Sequence, residues 1–538
     1  MKRIFASLLT SCFLPPLAAC SVSQPAAESL YPSHLAISIG YWNIEGMQNN
    51  DHSDALRAYL ENKFNISIEP FSVSWADYHD RYQILSATNS LPDIFASAEV
   101  NTSWKAEASN LDSMIANGSI RDLPSDLSAY PNIENALSLC GLSGSSLPLY
   151  YLPRVSFTDA SLGTSDAAMF VRQDWMEHLK LNDPQNLDEF IQMAAAFANS
   201  DPDGNGVDDT LGYNVNSRDA LGKWVILGIA PELNVQGWVQ ENGKYIPSFY
   251  AADYVKILKA YRKIYVSGGL DPKFYLKKSV DAVDDFARGT LGALEYKSSP
   301  SSVLELKTQW ELYDNPPFED SVKLLHIFPA EDGVRYSNSS NVFWSETFIS
   351  SRVNNEKMQR ILALMDYLLS DEGLRLTRYG LPGEDYNTNK NGEYQILLDL
   401  EGKSLSKALE EKYPSMSLFN SLASWAGTLD DFSPTELNYL RFGKTAVDIA
   451  YAELEWNKQN TVQVERNYRF LMMSKSDAID FPEESIADSI AKVIIGTDDV
   501  ETMWNDVLQQ YRNSHIDEYI DKQNQKYQQL PDVSEAKG

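Results

Sequence analysis

From residue 35 onward, apolar and polar positions fall into alternating strand-like and helix-like runs. Residues 35–40, Leu-Ala-Ile-Ser-Ile-Gly, form a short alternating apolar run and predict a first strand. Residues 54–64 predict a helix, 66–71 a second strand, 78–87 a second helix and 93–96 a third short strand. Strand, helix, strand, helix, strand is the order of a parallel sheet with crossover helices. Further on, apolar positions 358, 361, 362, 365, 368 and 369 recur at helical spacing and predict a core-facing helix. Residues 500–523 predict another helical region. No internal repeat is present. Segments 141–146, 298–302 and 337–341 are rich in Ser, Gly and Asn and read as loops near lobe crossings.

Composition changes this picture in two ways. The chain has 538 residues, 43% of them apolar and 22% charged, the profile of a globular protein. A single core stops growing at about 250–300 residues, so at least two lobes are expected. Lys and Arg number 45 against 75 Asp and Glu, a net charge of −30. That balance argues against a nucleic-acid partner, because nothing obvious would neutralise phosphates. It says little about a neutral ligand in a cleft.

The first 30 residues read as a targeting segment. Lys2 and Arg3 precede a mostly apolar run, 4–19, interrupted by Ser7, Thr10, Ser11 and Pro15-Pro16. The run is too short and too broken for a membrane span and fits a signal peptide. It ends in Leu17-Ala18-Ala19-Cys20-Ser21, which resembles the bacterial lipobox. Cys20 is then the lipidated new N-terminus, and 20–30 a flexible tether. A plain signal peptide with a chance cysteine is the alternative. Removal of Lys2 and Arg3 shifts the net charge from −30 to −32. A diacyl anchor holds stably where one chain holds marginally. Besides Cys20 there are Cys12, inside the signal, and Cys140. Three cysteines exclude a disulfide scaffold and a four-cysteine zinc site, and Cys140 reads as a buried inert thiol.

The most specific chemical motif is at 201–212, Asp-Pro-Asp-Gly-Asn-Gly-Val-Asp-Asp-Thr-Leu-Gly. Asp201, Asp203 and Asn205 stand at the first, third and fifth places of a calcium loop. Val207 offers its carbonyl at the seventh and Asp209 a carboxylate at the ninth, with Gly206 at the sixth where the chain must turn sharply. Calcium takes six to eight hard oxygen ligands, which suits this alternation. The twelfth place, normally a bidentate Glu, is Gly212, so the loop is not a full EF-hand. A missing ligand would come from Asp208, Thr210, water or elsewhere. A structural Ca2+ is expected; an Asn-Gly turn with solvated acids is the alternative.

The surroundings of this loop resemble a known family. Phe170-Val171-Arg172-Gln173-Asp174-Trp175-Met176-Glu177-His178-Leu179 and Leu187-Asp188-Glu189-Phe190 precede it. Elsewhere stand Leu91-Pro92-Asp93-Ile94-Phe95, Gly118-Ser119-Ile120-Arg121-Asp122-Leu123, Tyr130-Pro131-Asn132, Gly269-Leu270-Asp271-Pro272 and Phe286-Ala287-Arg288-Gly289. Asp366-Tyr367-Leu368-Leu369-Ser370-Asp371-Glu372-Gly373 closes the series. In this order, from about Leu91 to Tyr511, the pieces resemble the extracellular solute-binding lipoproteins of bacterial ABC importers, in the aldouronate and oligosaccharide branch. Departures stand at Lys180 for the usual Gly, at 182–186 without a Pro-Thr-Thr turn, at Asn89-Ser90 for Gly-Asp, and at Gly496-Thr497 for Thr-Gly. They fall in loops and caps and bear on ligand identity rather than on fold.

The resemblance implies an α/β, two-lobed periplasmic-binding-protein-like fold, each lobe a mostly parallel sheet flanked by helices and joined to the other by a hinge. The expected boundaries are 31–155 with about 325–400 for lobe 1, and 156–324 with about 401–538 for lobe 2. It also implies a monomer outside the cell membrane, lipid-anchored, that captures an oligosaccharide and hands it to an ABC permease without chemistry. Sugar rings stack on flat aromatic side chains while their hydroxyls need polar partners. With 11 Trp, 29 Tyr and 21 Phe the supply is ample. Candidates are Trp42, just after the first strand, Tyr151 and Arg154, near a lobe crossing, Trp224, after the calcium-type loop, and Trp344, with Arg154 suited to a uronate carboxylate. Core packing is the competing reading for each aromatic, and a surface ion pair for Arg154. Trp175 and Trp238 read as structural. Capture of a peptide or other small solute, or presentation of a ligand to a membrane kinase, are the other binding roles. An enzyme is not expected. The doublets Asp208-Asp209, Asp284-Asp285, Asp430-Asp431 and Glu483-Glu484 read as solvated surface, and the sequence contains no HExxH, GxSxG or P-loop motif.

Overall fold

The structure, a computed structural model, describes residues 31–529 apart from 43, 45, 46, 48–53, 76, 99–107, 144–147, 216–220, 234–236, 278, 341, 423, 466, 468, 469, 471–481 and 483. The expected signal segment 1–19 with Cys12, the tether 20–30 with Cys20, and residues 530–538 lie outside the described residues. Among the described residues no helix is long and apolar enough to cross a membrane.

The run at 35–40 extends into strand β1, Leu35–Trp42. The helix Ala55–Phe64 follows, and Asp54 starts it by accepting the Arg57 N–H at 2.9 Å, which satisfies one free amide of the first turn. Asn65 ends it at φ 48°, a left-handed position asparagine tolerates. Strand β2, Ile66–Val73, helix Tyr78–Ala87 and strand β3, Ile94–Ser97, complete the expected unit, with β1 parallel to both strands. Gly40 lies where β1 is covered most closely. A Cβ there would stand 2.9 Å from the Tyr82 hydroxyl and 3.0 Å from Phe95 and Pro92.

The other described strands are β4 (Tyr151–Phe157), β5 (Ala168–Arg172), β6 (Leu211–Asn214), β7 (Trp238–Glu241), β8 (Lys244–Pro247), β9 (Leu291–Tyr296) and β10 (Val322–Leu325). Then come β11 (Tyr336–Ser337), β12 (Phe343–Ile349), β13 (Tyr386–Thr388), β14 (Tyr394–Ile396), β15 (Ser424–Gly427) and β16 (Val462–Gln463). Two main sheets result, β15-β4-β12-β3-β1-β2 in the first lobe and β10-β5-β9-β6 in the second. The first is mostly parallel with one reversed strand, β12; the second is mixed, because the reversed β5 lies between β10 and β9 and only β6 and β9 pair parallel. The reversal follows from the chain path. β5 and β12 are the strands by which the chain enters a lobe from the hinge, so they run away from it. β4, β10 and β15, by which it leaves, run toward it.

Alternation packs the second sheet on both faces. Met169 and Val171 join one core with Phe190, Phe197 and Tyr213, while Ala168 and Phe170 join another with Phe286, Val303 and Trp310. Between the lobes the chain crosses at 158–167, 326–342 and 428–443. A small apolar cluster of Leu162, Phe432, Ala450 and Leu454 lies at these crossings, backed by Phe157. Asp431 in the third crossing is bound by Arg441 at 2.6 Å and by Arg378 of the first lobe at 3.5 Å. Burial pushes its carboxyl up, but the two guanidinium groups hold it below the usual range.

Three expectations change. The second passage through the first lobe enters its sheet at Phe343 and runs to Gly427 rather than from about 325 to about 400. Leu405, Leu409, Met416, Leu418 and Leu422 pack in the first core, and β15 joins the first sheet. Segment 298–302 is not a loop: Ser299 caps the helix Pro300–Trp310, with Pro300 in the first turn where its missing N–H costs nothing. The helical region expected at 500–523 is two helices, Val500–Asn513 and Ile516–Gln529, because His515 takes φ 62° between them. Cys140 is buried as expected, and burial pushes its thiol up to about 12.

Candidate functional site

Strands β1, β2 and β3 end at the hinge edge of the first lobe, and β12 begins there. Open α/β sheets bind ligands outside the carboxyl ends of their strands. At this edge the chain gathers four aromatic rings. Trp42 closes β1, Trp75 lies two residues beyond β2, Tyr78 opens the next helix and Trp344 is the second residue of β12. The Trp42 ring stands 5.2 Å from Trp75, 5.1 Å from Tyr78 and 5.8 Å from Trp344, and Trp75 stands 5.4 Å from Trp344. Trp75 is 50% exposed and Trp42 only 6%. The result is a wall of indoles with one member open to solvent, the shape on which a sugar's C–H face stacks. Trp42 Nε1 is buried without a hydrogen-bond partner among the described residues. A buried donor left unmade costs about 1–3 kcal/mol, which a ligand oxygen would relieve.

The fold thus brings together two of the five ligand candidates, Trp42 and Trp344. Trp75 and Tyr78 join them without having been singled out. Their signal was positional, since both follow the second predicted strand at its carboxyl end. The other three candidates lie in the interior. Trp224 is 2% exposed and packs between Phe190 and Phe328 in the second core, leaving no face for a sugar. Tyr151 is buried at the start of β4, the end of the sheet away from the hinge, and packs on Phe348. Arg154 is 0% exposed. Its guanidinium donates to Ser421 O at 2.7 Å, to Ser345 Oγ and to the Tyr41 hydroxyl. Burial pushes its pKa down, and Tyr41 and Glu346 oppose that shift. A guanidinium engaged inside the lobe is not presented to a uronate carboxylate.

At the facing end of the second sheet, Glu295 of β9 receives the amides of Lys223 and Trp224 at 2.7 and 3.0 Å, capping the helix Lys223–Leu227. Burial pushes its carboxyl up from about 4.5 to about 7, against the pull of those two amides. The folded value lies above the unfolded one, so the folded state takes up the proton. The stability gained is complete below pH about 4.5 and is lost as pH rises through about 7. Glu295→Gln should remove this dependence, worth roughly 3 kcal/mol. Melting temperatures measured from pH 5 to pH 8 should move in favour of the variant as pH rises. An unchanged difference across that range would refute the shift.

The loop at 201–209 is exposed from Asp203 onward and internally bonded. Gly206 N donates to Asp201 Oδ2 at 3.1 Å, Val207 N to Asn205 Oδ1 at 2.6 Å, and the Asn205 amide to Asp203 at 2.8 Å and Asp209 at 3.2 Å. Asp203 is pushed up by burial and by the nearby Asp209 and Asp201 carboxylates. Asp201 Oδ1 is buried without a hydrogen-bond partner among the described residues. Among those residues no three His, Cys, Asp or Glu side chains converge closely enough to hold a metal. The chemistry of the donors, hard oxygens around an orphaned carboxylate oxygen, still fits calcium. Gly212 has a steric cause: a Cβ there would stand 2.2 Å from Ala194 O and 2.4 Å from Gly269 O. A glutamate cannot occupy the twelfth place. A larger hollow of about 930 Å³, lined by Leu123, Leu137, Leu149 and Met358, opens in the first lobe away from the tryptophans and adjoins residues outside the description.

Two sheets that end on a shared hinge, with three crossings and an aromatic wall at one edge, define a two-lobed solute-binding fold. The chain belongs to the bacterial extracellular solute-binding proteins, whose family model matches residues 54–379. Lipoprotein LipO of Bacillus subtilis (strain 168) is 27% identical over 400 residues, 72% of this chain and 74% of that protein. The polygalacturonan/rhamnogalacturonan-binding protein YtcQ of the same strain is 22% identical over 386 residues, 70% of this chain and 72% of its own. The crystal structure of the alginate-binding protein AlgQ2 without calcium ion has the same two-lobed fold. It matches with a TM-score of 0.65 and 15% identity over 94% of this chain and 99% of that one.

Proposed function

We propose that this chain is the lipid-anchored, extracytoplasmic receptor of an ABC importer, capturing an oligosaccharide between its lobes and delivering it to the permease without chemistry. The observation that carries this reading is the tryptophan wall at the carboxyl ends of β1 and β2. The names of YtcQ and AlgQ2 support an oligosaccharide derived from an acidic polysaccharide, and that of LipO supports lipidation at Cys20. The test is a thermal-shift screen of the mature chain with neutral oligosaccharides, oligogalacturonates, alginate oligosaccharides and short peptides. A ligand at about 100 times its Kd adds roughly 2.7 kcal/mol, a shift of a few degrees. Trp75→Ala should weaken the responding sugar about fivefold or more, since an aromatic stack contributes roughly 1 kcal/mol beyond burial. A shift with peptides alone would overturn the substrate class.

In this reading the 201–209 loop holds a structural Ca2+, with Asp201, Asp203, Asn205, the Val207 carbonyl and Asp209 as its oxygen donors. The ion would neutralise carboxylates that otherwise repel, as the raised Asp203 pKa supports. Excess chelator should then lower the melting temperature and re-added calcium restore it. No change on chelation would count against the ion.

A further inference from the structure

The Arg154 guanidinium touches the chain beside two tryptophans of the wall, Trp42 and Trp344. One nitrogen donates to the hydroxyl of Tyr41, the residue before Trp42 in β1. Another donates to Ser345 Oγ, the residue after Trp344 in β12. The third holds Ser421 O at 2.7 Å, and the cation stands 5.3 Å from the Trp42 ring. In the sheet β1 and β12 are separated by β3, so no backbone ladder joins them directly.

Ser345 is an unusual strand residue. β12 pairs with β4 at Phe343↔Val155 and again at Glu346↔Pro153, so three steps on β12 oppose two on β4. That extra residue is a β-bulge, a device that re-aims side chains. Ser345 adopts φ 66°, a left-handed conformation that costs a non-glycine residue energy unless its surroundings hold it. What holds it is Arg154 on one side and, on the other, the bond from Ser345 Oγ to Trp344 O at 2.5 Å. Trp344 lies within the same bulge.

We propose that Arg154 is a positioning residue: its buried guanidinium ties the Ser345 bulge to Tyr41 and so sets the spacing and angle of Trp344 against Trp42. A planar fork with several donors can reach three acceptors at once, whereas a lysine ammonium on its flexible stem cannot copy that geometry. The consequence for ligand affinity rests on the reading of the tryptophan wall as the sugar site. The clamp itself is a property of the ligand-free protein.

The test reads both levels. The circular-dichroism band that arises from Trp344 coupled to Trp42 and Trp75 is first isolated as the difference between wild type and Trp344→Phe. Arg154→Lys should keep the far-ultraviolet spectrum and a cooperative melt, yet lose most of that difference band and become more open to acrylamide quenching. Ser345→Gly removes the hydroxyl while suiting the positive φ, and it should lose the same band. If Arg154→Lys does not fold, Ser345→Gly decides alone. A folded Ser345→Gly with the band intact overturns the proposal, as does a folded Arg154→Lys with the band intact. The sugar panel then separates the two readings. A spectral loss with weaker sugar binding supports both, whereas a spectral loss in a protein that binds no sugar at all keeps the clamp and overturns the ligand site.

Discussion

Arg154→Met is expected to destabilise the first lobe by about 3–5 kcal/mol. The guanidinium is fully buried, and so is Glu346, whose negative field acts on it. Removing only the cation takes from the buried Glu346 side chain the positive partner whose field acts on it, and strands the acceptors at Ser421 and Ser345. A buried polar group left unpaired costs about 1–3 kcal/mol on its own. Urea unfolding followed by tryptophan fluorescence should show the first-lobe transition at lower denaturant. The double variant Arg154→Met, Glu346→Met should recover part of the loss, because two apolar side chains replace two charges. If it recovers nothing, Glu346 is not the group that Arg154 compensates.

Gly212→Glu, which would complete the ligand pattern of the calcium loop, is expected to disrupt the second lobe instead of tightening metal binding. Overpacking a core costs about 1–3 kcal/mol where side chains can yield. Here the obstacles are the carbonyl oxygens of Ala194, inside the helix Leu187–Asn199, and of Gly269. The first cannot move without distorting its helix, and the second is held by the Tyr213 N–H at 2.7 Å, so the loss should exceed that range. Gly212→Ala already introduces the offending Cβ and should melt well below wild type. A Gly212→Ala protein as stable as wild type would refute the steric account. The motif is therefore incomplete for a reason outside the motif, since its last place is also the second residue of β6.

Several elements were legible because their signals are local. The period-two run at 35–40, the helix at 54–64 with Asp54 at its start, and the face from Met358 to Leu369 each depend on residues within a few positions. The boundary near 400 was not legible. Leu405–Lys412 and Met416–Leu422 are helices whose apolar faces carry no local mark of the lobe they serve; their packing in the first core and the pairing of β15 with β4 assign them to the first lobe. The candidate site divides in the same way. Trp42 was found because it ends a strand that the pattern marks. Trp224 is equally aromatic, yet it lies in the helix Lys223–Leu227, where Phe190 and Phe328 enclose it.

By itself the sequence determined the repeating strand and helix units, the two-lobed family, the acidic surface, and the spacing of oxygen donors at 201–209. Those are properties of neighbouring residues and of composition, which short-range sterics and burial translate directly into structure. Only the tertiary structure decided which tryptophans share a wall, that Arg154 is sealed inside and spans β4 to β1, and that Gly212 has no room for a ligand. Each of these depends on atoms brought together across tens to hundreds of residues. Packing density leaves one arrangement for them, and no local pattern along the chain records it.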